Sequence, residues 1–146
     1  VGFAEKLNFP DNFFSMVLCF TVLEHVSDVN SSLNEMYRVL RPGGKAMIVC
    51  PDYRYPEEPH YKVTVPPPFF FPHLAKKIIK AKSRPTDFFD SLNFLSRGFL
   101  KKILSRMNIP HYFVREMSYK VTNKFILKLY LRCLKIDRNI FLVITK

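Results

Sequence analysis

The chain has 146 residues, nearly half of them hydrophobic, and a formal net charge of +11. That is one domain's worth of polypeptide, long enough to bury a core. No apolar run reaches membrane-spanning length and the first residues do not resemble a cleaved signal peptide, so the expectation is a soluble cytoplasmic protein.

The charge is unevenly placed. Residues 1–52 carry four Lys/Arg against six Asp/Glu, whereas residues 53–146 carry nineteen against six. The basic character of the later part favours an acidic partner: phosphate, nucleic acid or an anionic membrane surface. Cys19, Cys50 and Cys133 have no metal-ligand spacing, and two of them fall in apolar runs, as buried reduced thiols would.

Taken in order, the first clear element is the apolar run Met16 to Phe20, the kind of strand a parallel sheet buries. Leu33, Met36, Tyr37 and Leu40 then repeat at i, i+3, i+4 and i+7, one stripe of a helix. Its start is capped either by Ser32 with Glu35 or by Asp28. Pro42-Gly43-Gly44 is expected to end it, because proline breaks the ladder and glycine accepts a left-handed C-cap. Ala46 to Cys50 supplies the next strand, completing a βαβ unit with a parallel return.

The stretch from Asp52 to Tyr61 follows a strand's carboxyl end and carries tyrosines, an arginine and acids that suit a polar substrate; a solvated, proline-stiffened loop is the plainer expectation. Pro66 to Pro72, PPPFFFP, is too proline-rich for a helix or a central strand. Its three phenylalanines can cover a site mouth, pack on a neighbour or dip into a membrane surface. His73 to Lys82 puts Leu74, Ala75, Ile78 and Ile79 on one helical face and Lys76, Lys77, Lys80 and Lys82 largely on another. Such a helix either lies at an interface or presents a solvated face over a core.

Ser96 can cap a helix with Leu100, Ile103, Leu104 and Met107 in register, and Asn108 suits the left-handed residue after it. His111 to Met117 reads as a strand, Thr122 to Ile136 as a helix with a basic stripe, and Ile140 to Thr145 as the last strand.

Three pieces in order, Ala4-Glu5-Lys6-Leu7-Asn8-Phe9-Pro10-Asp11-Asn12, Val22-Leu23-Glu24-His25-Val26 and Arg38-Val39-Leu40-Arg41-Pro42-Gly43-Gly44, resemble the class I S-adenosylmethionine-dependent methyltransferases of the type 11 group. The resemblance covers roughly the first third of the chain. It implies an α/β, Rossmann-like methyltransferase fold: a parallel sheet with a final antiparallel strand, the last strand inserted beside the one containing Ala46 to Cys50. Residues 1–52 would form the cofactor-side core, 53–92 a substrate-side basic insertion, and 93–146 a carboxyl-terminal helix and strand pair with a helical insertion.

The same resemblance implies that S-adenosyl-L-methionine meets Ala4, Glu5, Leu7, Phe20, Thr21 and Val22, since ligands in open α/β sheets sit beyond the carboxyl ends of the strands. Phe3 stands where relatives commonly have an adenine-contacting Asp, and Ser15 where they commonly have Asp. An apolar ring can stack on adenine but cannot accept its amino hydrogen. His25 is a candidate polar wall or proton acceptor, and a purely structural histidine is the competing assignment. Some relatives hold a divalent ion through a Glu-x-x-Glu-His pattern; here the first acid is Thr21, leaving Glu24 and His25, so no metal is expected.

The four glycines of the chain, Gly2, Gly43, Gly44 and Gly98, cannot form the family's glycine-rich cofactor turn. The sequence therefore resembles the carboxyl-terminal portion of the domain, lacking the first strands. The missing part is expected from a longer protein or a partner chain, and the Met16 to Phe20 strand is expected to be an open edge. The function implied is methyl transfer to a small-molecule or lipid-like acceptor. The alternative is a degenerate, non-enzymatic half that docks on an anionic membrane surface or a protein partner; nucleic-acid binding is less favoured, because the lysines are not interleaved with aromatics.

Overall fold

The computed structural model describes residues 2–82, 84–115 and 136–146. Strand β1 (Phe14–Phe20), helix α1 (Val29–Val39) and strand β2 (Leu40–Pro51) form the expected βαβ unit, with β1 and β2 parallel. Helices α2 (Pro72–Ala81) and α3 (Arg97–Arg106) follow, then strands β3 (His111–Val114) and β4 (Asn139–Thr145). The sheet order is β1-β2-β4-β3, and β4 runs antiparallel to both of its neighbours. The last strand is thus inserted beside β2, giving the Rossmann-like α/β arrangement. Of the expected strand His111 to Met117, Glu116 and Met117 lie outside the described residues, as do Cys133 and residues 122–135 of the expected helix.

Asp28 caps α1 by accepting a hydrogen bond from the Asn30 amide at 2.9 Å. Glu35 is not part of a capping box; it binds Arg38 and the Leu7 amide. Pro42-Gly43-Gly44 does not end the helix either. The helix stops at Val39, and β2 starts at Leu40, which pairs with Phe14. The three residues bulge inside β2 before pairing resumes at Met16 and Lys45, and Gly43 takes the left-handed conformation there with φ of 77°. Gly44 is required for a different reason: a Cβ would lie 2.8 Å from the Arg41 carbonyl oxygen and 3.1 Å from that of Phe14.

The core joins Leu33, Met36 and Leu40 to Ala46, Ile48 and Cys50 of β2, Leu100 and Leu104 of α3, and Ile140, Leu142 and Ile144 of β4. Ser96 caps α3 through the Phe99 amide, and Asn108 is left-handed with φ of 54°, as its sequence position implied. The segment after β2 differs from the solvated loop expected. Asp52, Tyr53, Tyr55, Glu58, Val63 and Val65 are all buried in it. Its acids are accepted inside because each has a partner, Arg54 for Asp52 and His60 for Glu58.

In α2 only Ala75 and Ile79 are buried, so the apolar face is narrower than the sequence implied and Leu74 points outward with Phe69, Phe70 and Phe71. At one edge of the sheet, β1 has no strand beyond it among the described residues, and Met16, Leu18 and Phe20 are exposed along it. This is the open edge anticipated. Among the described residues no helix is long and apolar enough to cross a membrane.

Candidate functional site

The carboxyl ends of β1 and β2 lie side by side, with Phe20 opposite Val49. Immediately after β1, Thr21 adopts φ of 51°, held by its amide to the Val49 carbonyl at 2.8 Å and its hydroxyl to the Phe20 carbonyl at 2.8 Å. A β-branched residue in this conformation is strained, and such strain persists where the surrounding bonds over-determine it. The kink turns the chain off the sheet, leaving Phe20 50% and Val22 42% exposed at the strand end.

The amino-terminal segment is fastened to α1 by charged groups. Glu5 accepts hydrogen bonds from the Ser27 amide at 2.6 Å and the Asp28 amide at 3.4 Å, and backbone amides, its own first, hold its carboxyl below the usual range. The Leu7 amide donates to Glu35 at 2.8 Å, while the Arg38 guanidinium donates to the carbonyls of Leu7 and Phe9 and to Asp11. Glu5 is therefore joined to the connection that follows β1, and Leu7 to α1. Ala4, half-buried, packs against the core.

For the cofactor that the resemblance implies, these residues fit one side only. Exposed Phe20, Thr21 and Val22 with Ala4 and Leu7 offer apolar surface and backbone groups, while the Glu5 carboxylate accepts from the Ser27 and Asp28 amides of the connection after β1. The residues that would hold it on this side are those the resemblance implies, Ala4, Glu5, Leu7, Phe20, Thr21 and Val22.

The second cluster lies on the turn after β1 and the loop after β2. Glu24 is wholly buried, and neither carboxylate oxygen has a hydrogen-bond partner. Burial pushes its pKa up, as it must when a charge is left without water. His25 Nε2 lies 3.9 Å from Glu24 Oε1, and desolvation followed by the charge of nearby His60 pushes the His25 pKa down, so its ring is neutral near neutral pH. The His25 and His60 ring centroids are 5.0 Å apart, and Phe88 stands 5.0 Å from His25.

Buried Glu58 orients His60: its Oε1 is 2.8 Å from Nδ1, and its Oε2 accepts from the Tyr61 amide at 2.9 Å. Asn93 clamps the turn from behind, receiving no help from sequence proximity. Its amide donates to the Glu24 carbonyl at 2.8 Å and its Nδ2 to the Val26 carbonyl at 2.7 Å. Beside this cluster an open cleft of about 320 Å³ is lined by His60, Tyr61, Pro85, Asp87 and Phe88. The cleft thus presents the His60 imidazole and the Phe88 ring to an entering ligand, while Glu24 lies buried behind them.

His25 was singled out from the sequence; Glu58, His60, Phe88 and Asn93 were not. The only signal for Glu58 and His60 was their place after a strand's carboxyl end. Nothing marked Asn93. The expectation of no metal weighed Glu24 and His25 alone, and the fold adds His60: the three residues each offer a ligand atom within 4.8 Å of the others.

Comparison with known proteins bears on the first third of the chain. A family model described as a methyltransferase domain, of type 11, matches residues 1–48. The ubiquinone/menaquinone biosynthesis C-methyltransferases UbiE of Neisseria meningitidis and Pectobacterium carotovorum are each 46% identical over 46 residues. That match takes in 32% of this chain and 19% and 18% of theirs, so the chain spans about a fifth of the length of these curated relatives. Among solved structures, a SAM-dependent methyltransferase of Thermotoga maritima, described as a possible histamine N-methyltransferase, aligns with TM-score 0.58 at 17% identity, over 99% of this chain and 62% of that one. Geranyl diphosphate C-methyltransferase of Streptomyces coelicolor, in complex with Mg2+, geranyl diphosphate and S-adenosyl-L-homocysteine, aligns with TM-score 0.51 at 17% identity, over 99% of this chain and 50% of that one. At these identities the structural likeness speaks to the fold.

Proposed function

We propose that this chain, which belongs over residues 1–48 to the type 11 methyltransferase family, forms part of a domain that transfers a methyl group from S-adenosyl-L-methionine, with one wall of the donor site in residues 1–48 and the acceptor side beyond them. The observation that carries the proposal is the sheet itself: parallel β1 and β2 end together at the strained Thr21 turn, where open α/β sheets bind ligands. The cofactor when bound supplies an activated methyl on a sulfonium. The chain's own residues supply position and exclusion of water, with Phe20 and Val22 as apolar surface and the Thr21 backbone fixed by Val49.

The acceptor, on this reading, enters by the cleft beside His60 and Phe88. The aromatic plate favours an acceptor with a flat or apolar body, and the neutral His25 imidazole can accept a proton from its reacting group. A small or lipid-like molecule suits that lining, in keeping with the ubiquinone and menaquinone pathway in the relatives' names. The open edge of β1 calls for a further strand, from a longer chain or from a partner.

The test is a graft. Residues 1–48 replace the matching stretch of a UbiE relative, and methyl transfer from labelled S-adenosyl-L-methionine is measured. The graft should retain transfer, and Phe20→Glu within it, at a half-exposed position, should cut transfer sharply while the fold persists. A folded graft that binds no S-adenosyl-L-homocysteine would overturn it.

A further inference from the structure

An ionisable carboxylate with no hydrogen-bond partner at zero exposure requires explanation, because buried polar groups are hydrogen-bonded almost without exception. Glu24 is that group. No Lys or Arg reaches it among the described residues; what faces it instead are His25, with Nε2 at 3.9 Å from Oε1, and His60. Glu58 is the other acid nearby, and both of its oxygens are occupied by His60 and the Tyr61 amide.

The orientation of His60 adds a second, independent observation. Nδ1 lies 2.8 Å from the Glu58 carboxylate, which can only accept when ionised, so a neutral ring places its proton there and turns Nε2 away from Glu58. A carboxylate behind a histidine, directing its other nitrogen forward, is the arrangement that supports metal-bound imidazoles. The backbone reinforces it: Glu58 and Val63 exchange amide hydrogen bonds at 2.9 and 3.3 Å, closing the loop that presents His60, and Asn93 fixes the turn presenting Glu24 and His25.

We propose that Glu24, His25 and His60 bind one divalent transition-metal ion, with Glu58 as the outer carboxylate that orients His60. Their ligand atoms lie within 4.8 Å of one another, and drawing them to bond lengths of about 2.0–2.2 Å requires side-chain adjustments on the order of 1 Å. Two imidazoles and one carboxylate select Zn2+, Mn2+ or Fe2+ over Mg2+ and Ca2+, which prefer oxygen donors. The ion neutralises the Glu24 charge and leaves coordination positions for a further ligand. Because His60 also lines the cleft, an acceptor oxygen is the ligand class that would complete the shell; this last clause rests on the methyl-transfer reading, and ion binding itself does not.

The experiment titrates Mn2+ and Zn2+ separately into the metal-stripped 146-residue chain by calorimetry, without cofactor or acceptor. One saturable site is expected. Glu24→Gln and His60→Ala each weaken it by at least about 30-fold, and Glu58→Gln by about 10-fold through loss of the outer carboxylate. His73→Ala, on exposed α2, leaves it unchanged. Glu24→Gln removes a buried carboxyl that makes no hydrogen bond, so the variant should fold; far-UV circular dichroism checks each one. Broadening of the His25 and His60 ring proton signals by Mn2+ in the unaltered chain provides a readout that needs no variant. Absence of saturation by both ions at about 1 mM, or binding that survives Glu24→Gln and His60→Ala, would overturn the proposal. A failed titration leaves the graft test above untouched, so the two readings fall separately.

Discussion

Asn93 holds the turn that carries Glu24 and His25, and the structure fixes what its removal costs. Alanine at this position deletes the Nδ2 bond to the Val26 carbonyl at 2.7 Å and the long contact to the Leu23 carbonyl at 3.5 Å, while the backbone bond from the residue 93 amide to the Glu24 carbonyl persists. One well-made hydrogen bond is lost and an acceptor on buried Val26 is left unpaired, which costs about 1–3 kcal/mol. For a chain of this length that is a fall in melting temperature of roughly 3–10 °C. Asn93→Asp is the sharper perturbation. It keeps the shape but turns an oxygen toward two carbonyl oxygens, so its loss should exceed that of alanine. Urea denaturation followed by circular dichroism measures both. An aspartate variant as stable as the parent would refute the assignment of Asn93 as the clamp of this turn.

Three other outcomes follow from named contacts. Gly44→Ala should cost about 1–3 kcal/mol because its Cβ meets two backbone oxygens, whereas Gly43→Asn, in open space at a left-handed φ, should cost less than about 1 kcal/mol; reversed midpoints in denaturant would contradict this. The Glu35 carboxyl is held down to about 2 by hydrogen bonds from Arg38. A depressed folded pKa contributes stability that is complete above the unfolded value of 4.5 and is lost as the pH falls from there toward 2, so Glu35→Gln should flatten the acid limb of the stability curve. Burial pushes the Cys19 thiol up to about 11 and that of Cys50 well above its usual range. Peptide mapping after iodoacetamide at pH 8 should find neither labelled before unfolding, and native-state labelling at the denatured rate would show that β1 and β2 are not packed as described.

The βαβ unit was legible because period and composition agree: Met16 to Phe20 is a run, and Leu33, Met36 and Leu40 form a stripe with one buried face. Pro42-Gly43-Gly44 misled because the same residues that stop a helix also make a bulge, and only pairing of Leu40 with Phe14 distinguishes them. The loop after β2 looked solvated because Asp52 and Glu58 are charged. Their burial depends on Arg54 and His60, partners that a hydropathy pattern does not reveal. The cluster at Glu24 was half visible for the same reason. Glu24 and His25 stand together in the sequence, but His60, Phe88 and Asn93 reach them only through the fold.

The proposed function puts one wall of a methyl-donor site at the carboxyl end of β1 and on the amino-terminal segment fastened beside it. Amide chemical-shift mapping of the 146-residue chain with millimolar S-adenosyl-L-homocysteine tests it even where affinity is weak. Shifts concentrated at Ala4, Leu7, Phe20, Thr21 and Val22, with β3 and the far end of β4 unmoved, are the predicted result. Shifts centred elsewhere on the sheet, or none at saturating ligand, would contradict it.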